Sequence, residues 1–117
     1  MGTLSARGKS TAMAANAAAA TKAALFNATG TEITGGTPAY ARKVITWGTE
    51  SAGSIPLAGT LPYEFDVPAG AVVAEIRYME GDTSEYQGSE AVTPNETFGA
   101  QGVFELTAGS LTVANPA

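Results

Sequence analysis

The chain has 117 residues, enough for one domain with one core, and a domain of this size hides roughly 65% of the surface its unfolded chain exposes. Its 44% apolar fraction overstates that core, because much of it is alanine before residue 25, while fourteen glycines and six prolines favour many short strands joined by tight turns. Cysteine and histidine are absent, which excludes a disulfide framework, a thiolate metal site and the commonest general base, and the net charge of −5 argues against nucleic acid as a partner.

The charge is unevenly spread. Residues 1–43 carry Arg7, Lys9, Lys22, Arg42 and Lys43 against Glu32 alone, a balance of +4, whereas residues 44–117 carry ten carboxylates against Arg77, a balance of −9. A basic arm on an acidic body is the pattern expected when the two ends meet different neighbours. No apolar run approaches the ~20 residues that cross a bilayer, so a membrane is not an expected partner. Arg7 and Lys9 precede alanines rather than a leucine-rich stretch, which does not match a secretory leader.

In chain order, residues 1–21 form an arm. Its stretch AMAANAAAA (12–20) has high helix propensity but too few large side chains to bury a stripe, and Ser5 is placed to cap a helix that begins at Ala6, with Leu4 outside it. Such a helix is marginal alone in water and needs a surface to lie on. That surface should be met by Leu4, Arg7, Lys9, Met13 and Lys22, the candidate partner-binding residues.

Residues 22–117 read as the β domain. Lys22–Asn27 is the first expected strand, followed by a Gly/Thr-rich connection (28–38) and a second strand over 39–47, with Ala41, Ile45 and Trp47 on one face and Tyr40, Arg42 and Val44 on the other. AGSIPLAGT (52–60) is a further short apolar run. TLPYEFDVPAG (60–70) alternates strictly, with Leu61, Tyr63, Phe65 and Val67 on one side, and it ends in a turn that Pro68 initiates and Gly70 closes.

Residues 71–79 put Val72, Ala74, Ile76 and Tyr78 on one face and Val73, Glu75, Arg77 and Met79 on the other. GDTSEYQGSE (81–90) reads as an exposed polar loop with Tyr86 as its only anchor. Gly102–Thr107 and Ser110–Val113 suggest a closing hairpin across Ala108 and Gly109, with both Gly70 and Gly109 needing permissive backbone angles. The expected core is Leu61, Tyr63, Phe65, Val67, Val72, Ile76, Phe98, Phe104, Leu106, Leu111 and Val113.

Chemistry is thin. Glu80, Asp82, Glu85 and Glu90 could suggest a calcium loop, but their spacing does not match an EF-hand, so a solvated loop is expected and no metal or other cofactor is implied. Glu64 and Asp66 stand two apart on the polar side of one strand, with no opposed acid across a sugar cleft. The serines have no histidine or lysine dyad to activate them, and catalysis is therefore not expected. Trp47 and the tyrosines are expected as core or interface anchors, with glycan binding through an exposed aromatic face as an alternative.

GGTPAYARKVITW (Gly35–Trp47), FDVPAG (Phe65–Gly70), PNETFGAQG (Pro94–Gly102) and LTAGSLTV (Leu106–Val113) resemble, in order, the small β-sandwich virion proteins of actinobacterial tailed phages, which include head decoration, minor tail and tail-fibre-like proteins. The resemblance implies a compact antiparallel β-sandwich with a leading helix or extended arm, no catalytic residues, and residence in the virion. The implied partners are the major capsid protein and copies of the chain itself in a symmetric cluster such as a trimer, or alternatively tail proteins. The chain departs from relatives in a short connection over 27–34 and in residues 75–90, where they usually carry a tryptophan and a glycine-rich loop.

Overall fold

A computed structural model describes residue 15, residues 17–51 and residues 53–112. The fold is all-β and every strand pairing is antiparallel. Among the described residues there are nine strands: β1 (Lys22–Phe26), β2 (Lys43–Val44), β3 (Thr46–Trp47), β4 (Ser54–Ala58), β5 (Tyr63–Val67), β6 (Val72–Met79), β7 (Tyr86–Thr97), β8 (Gly102–Leu106) and β9 (Ser110–Thr112). They form a four-stranded sheet of order β2-β1-β6-β7, a three-stranded sheet β3-β4-β9 and a two-stranded sheet β5-β8. Leu25, Val73, Ile76 and Tyr78 from the large sheet bury against Ile55, Leu57 and Leu111 from the second and Phe65, Val67, Phe104 and Leu106 from the third, a sandwich-like arrangement around one shared core.

Residues 39–47 divide where one strand was expected. β2 pairs with β1, whereas β3 pairs with β4, so the chain leaves one sheet and joins another at Ile45. Ile45 is buried at this corner, its N–H donating to the Thr21 carbonyl at 3.1 Å, while Val44 beside it is 68% exposed. A residue that both turns the chain and fills the space between two sheets keeps both of its neighbours from packing equally well.

The alternation of β5 holds: Phe65 and Val67 are fully buried, and Tyr63 packs against the core from its edge. Leu61 does not follow, being 38% exposed, because it lies in the bend before the β5–β8 ladder begins and the pleat does not extend to it. Val72 is likewise not a core residue, and Val73 takes its place. Between Val73 and Glu75 β6 advances two residues while β7 advances from Glu96 to Ala91, and this bulge reverses which face each later β6 residue presents. Val113 lies outside the described residues.

Two further expectations are corrected. β8 and β9 do not form a hairpin: β8 pairs with β5 and β9 with β4, so the connection at 107–109 crosses between sheets. The expected loop at 81–90 is a turn only as far as residue 85, and β7 begins at Tyr86 because its residues find β6 as a ladder partner. Gly70 has the left-handed backbone (φ +86°) that its turn requires. Gly109 is needed for a different reason, since a Cβ there would collide with the Tyr78 hydroxyl, and its backbone is not left-handed.

Phe65 makes the sharpest stability test, because its ring packs between Tyr40 and Phe104 with centroids 6.4 Å from each. Phe65→Ala should cost about 3–5 kcal/mol and Leu61→Ala less than about 1 kcal/mol in urea unfolding. Equal midpoints for the two variants would refute this placement of the core.

Candidate interaction surfaces

The second half of the β1–β2 connection brings Tyr40 and Arg42 onto one side of the chain, as their spacing of two suggests, and both meet Glu32. Arg42 grips the Glu32 carboxylate with Nε and Nη2, each at 2.9 Å, while its Nη1 donates to the carbonyls of Gly81 at 2.9 Å and Thr83 at 2.7 Å. The Tyr40 hydroxyl donates to Glu32 at 2.8 Å and accepts from the Leu25 N–H at 2.9 Å. Burial by itself would raise the Glu32 pKa, but the bonds from Arg42 and Tyr40 outweigh it and hold the carboxyl below its ordinary value. Burial pushes the Tyr40 phenol up, and the Glu32 charge adds to that rise.

Lys22, the one candidate partner-binding residue within the described structure, starts β1 and its Nζ meets Asp82 Oδ1 at 2.8 Å. The Lys22 hydrogen bond holds the exposed Asp82 carboxyl below the usual range. Leu4, Arg7, Lys9 and Met13 lie outside the described residues. The chain enters the body through Ala17, which packs against the core, and Ala20, which is fully buried and whose carbonyl accepts from Trp47 Nε1 at 2.8 Å.

Three of the four carboxylates of 80–90 have separate partners. Glu80 accepts from Gln87 Nε2 at 2.5 Å, Asp82 takes Lys22, and Glu90 accepts both the Tyr78 hydroxyl and the Ser110 N–H. Among the described residues no three acids gather where a cation could sit. The Tyr78–Glu90 bond passes under Gly109 and so joins β6, β7 and the β8–β9 connection, and burial together with that bond raises the Tyr78 pKa.

The outer face of the large sheet carries a second small cluster of Ala24, Phe26 and Met79. Arg77 lies across it, 4.1 Å from the Phe26 centroid and 4.8 Å from that of Tyr86, with its Nε on Glu75 at 2.8 Å. An open groove of about 570 Å³ runs beside Arg77, between Asn27–Gly30 and Ser89 and Ala91 of β7. Of the aromatics that a glycan reading would use, Trp47 is half-buried edge-on to Tyr78 at 5.0 Å, Tyr40 and Tyr63 spend their hydroxyls internally, and Tyr86 alone is largely exposed.

Sequence reasoning missed the Arg42–Glu32–Tyr40 network, although the shared face of Tyr40 and Arg42 was visible in the spacing. It could not have found Glu32, which arrives from a different part of the connection. No protein-family model, curated protein or solved structure matches the chain.

The two ion pairs at this end should differ in stability. Arg42→Ala should cost about 2–3 kcal/mol, since it strips a half-buried carboxylate and two carbonyls of charged donors, whereas Lys22→Ala breaks an exposed pair and should cost less than about 1 kcal/mol. Similar losses in chemical denaturation would contradict the clamp. The tyrosines predict the alkaline limb. Their folded pKa values are raised, so the stability they contribute is complete below the unfolded phenol value of about 10 and is lost as pH climbs beyond it. Unfolding midpoints measured from pH 8 upwards should fall less steeply above pH ~10 in Tyr78→Phe than in the parent. An unchanged slope would show that this hydroxyl is not held as described.

Proposed function

We propose that the chain is a non-enzymatic virion structural protein of a tailed phage, and that it acts as a capsid decoration protein on the outer surface of the head. One observation carries the reading beyond the resemblance itself. The four resembling segments, scattered from residue 35 to 113, meet in space. Thr37 N–H donates to Gln101 Oε1 at 3.1 Å and Gln101 Nε2 to the Pro38 carbonyl at 3.2 Å, which joins the first segment to the third. Gly70 N–H donates to the Phe98 carbonyl at 2.6 Å, joining the second to the third, and Phe65 of the second packs on Tyr40 of the first. The fourth contributes Leu106 and Leu111 to the same core as Phe65 of the second and Phe98 of the third. Residues that form one junction are what a shared scaffold would keep, and this supports reading the likeness as one of the domain's frame.

On this reading the sandwich is the body that seats on the major capsid protein and beside copies of itself, and the arm with Leu4, Arg7, Lys9 and Met13 spreads over neighbouring subunits. The gain comes from buried area and from closed gaps between subunits, with no bond made or broken. Copy number is the decisive measurement. Quantitative mass spectrometry of purified particles should find the chain in a fixed ratio to the major capsid protein. A handful of copies per particle would instead assign it to the tail, and absence from particles would overturn the virion reading.

A further inference from the structure

β8 is paired on one side only. β5 lies along one edge, and among the described residues no strand pairs with the other. Such an edge presents a row of backbone donors and acceptors that a further strand can use. The two faces of β8 differ sharply: Phe104 and Leu106 are buried in the core, whereas Val103 is 46% exposed and Glu105 also faces outward. Directly across from Glu105 stands Glu64, and across from Val103 stands Asp66. Like charges opposed in this way repel, and neither β5 nor β8 contains a lysine or arginine to relieve them.

The sequence contains a segment with the matching pattern. In LSARGK (4–9), an extended backbone puts Leu4, Ala6 and Gly8 on one side and Ser5, Arg7 and Lys9 on the other. Laid along β8, Leu4 and Ala6 continue the apolar side formed by Phe104 and Leu106, and Arg7 and Lys9 come over the acidic side. Arg7 and Lys9 are two residues apart, about 6.6 Å in a strand, the same step that separates Glu64 from Asp66. The five residues 10–14 between this segment and the described structure can span up to about 16–18 Å when extended, which reaches the β8 edge of a copy packed directly alongside.

We propose that residues 4–9 of one copy, where Gly8 disfavours the helix start expected at Ala6, instead add as a strand to the open β8 edge of a second copy, with Arg7 and Lys9 paired to Glu105, Glu64 and Asp66. That the recipient is a second copy rather than the same chain rests on the reading of the protein as an assembling virion subunit. The contact is head-to-tail, so it generates a ring where the rotation closes.

Sedimentation equilibrium of the purified full chain at low ionic strength tests this without any phage particle, so its failure leaves the particle stoichiometry unaffected as a separate test. The parent should self-associate. Arg7→Glu with Lys9→Glu, and separately Glu64→Lys with Glu105→Lys, should each weaken self-association at least about tenfold, because charge now repels at the same contact. Mixing the two variants brings opposite charges together again and should restore a complex. Ser5→Pro with Ala6→Pro removes two successive N–H groups, one of which must face β8 in an added strand, without altering charge, and it should also weaken association. A monomeric parent, a mixture that fails to associate, or a Ser5→Pro with Ala6→Pro protein that associates like the parent would each overturn the proposal. Thermal unfolding of each variant verifies that the body remains folded.

Discussion

The grip of Arg42 on Glu32 is the constraint on which the arrangement of the sheets depends. The connection between β1 and β2 is long, polar and rich in glycine and threonine, and it offers Ile33 and Tyr40 as its main contributions to the core. Apolar burial alone gives such a segment little reason to adopt one path. A guanidinium that forks onto one carboxylate and reaches two carbonyls of the β6–β7 turn fixes that path at both ends, and its rigid planar geometry leaves few alternatives. Tyr40 carries the constraint inward, since the hydroxyl that bonds Glu32 also accepts the Leu25 N–H of β1 while the ring stacks on Phe65.

With that connection fixed, the next step of the chain can serve two sheets. β2 completes the large sheet beside β1, and two residues later β3 joins β4, with Ile45 as the buried pivot. Thr21 binds the pivot from below through its carbonyl, donates its N–H to Met79, and holds the Gly81 N–H with its hydroxyl. The Tyr78–Glu90 bond does comparable work close by on β6, where it holds β9 and the connection before it against β6 and β7. Polar bonds around the β6–β7 turn thus decide how the sheets are placed, and the apolar residues of the core provide most of the stabilising free energy.

The structure also redistributes the charge asymmetry seen in the sequence. Lys22 and Arg42 belong to the first, basic half, yet both are spent on partners within the body, and Arg77 is spent on Glu75. What remains of the asymmetry is narrower: Arg7 and Lys9 in the arm, Lys43 in β2, and a group of carboxylates on the outer side of β5 and β8.

The sequence by itself determined the all-β class, the inward faces of β5 and β8, and the turn at Gly70, because side-chain alternation and backbone permissiveness are local properties that each segment carries alone. It also placed Tyr40 and Arg42 together on one side. Only the tertiary structure decided which strand lies beside which. Residues 102–113 have every local mark of a hairpin, yet β5 and β4 offer each half a better partner. Val73 replaces Val72 in the core where the β6–β7 register shifts between Val73 and Glu75, an irregularity that strict alternation does not announce. Glu32, Glu90 and Gly109 acquire their roles in the same way: period 2 states which face a side chain presents, and contact across the fold states what that face will meet.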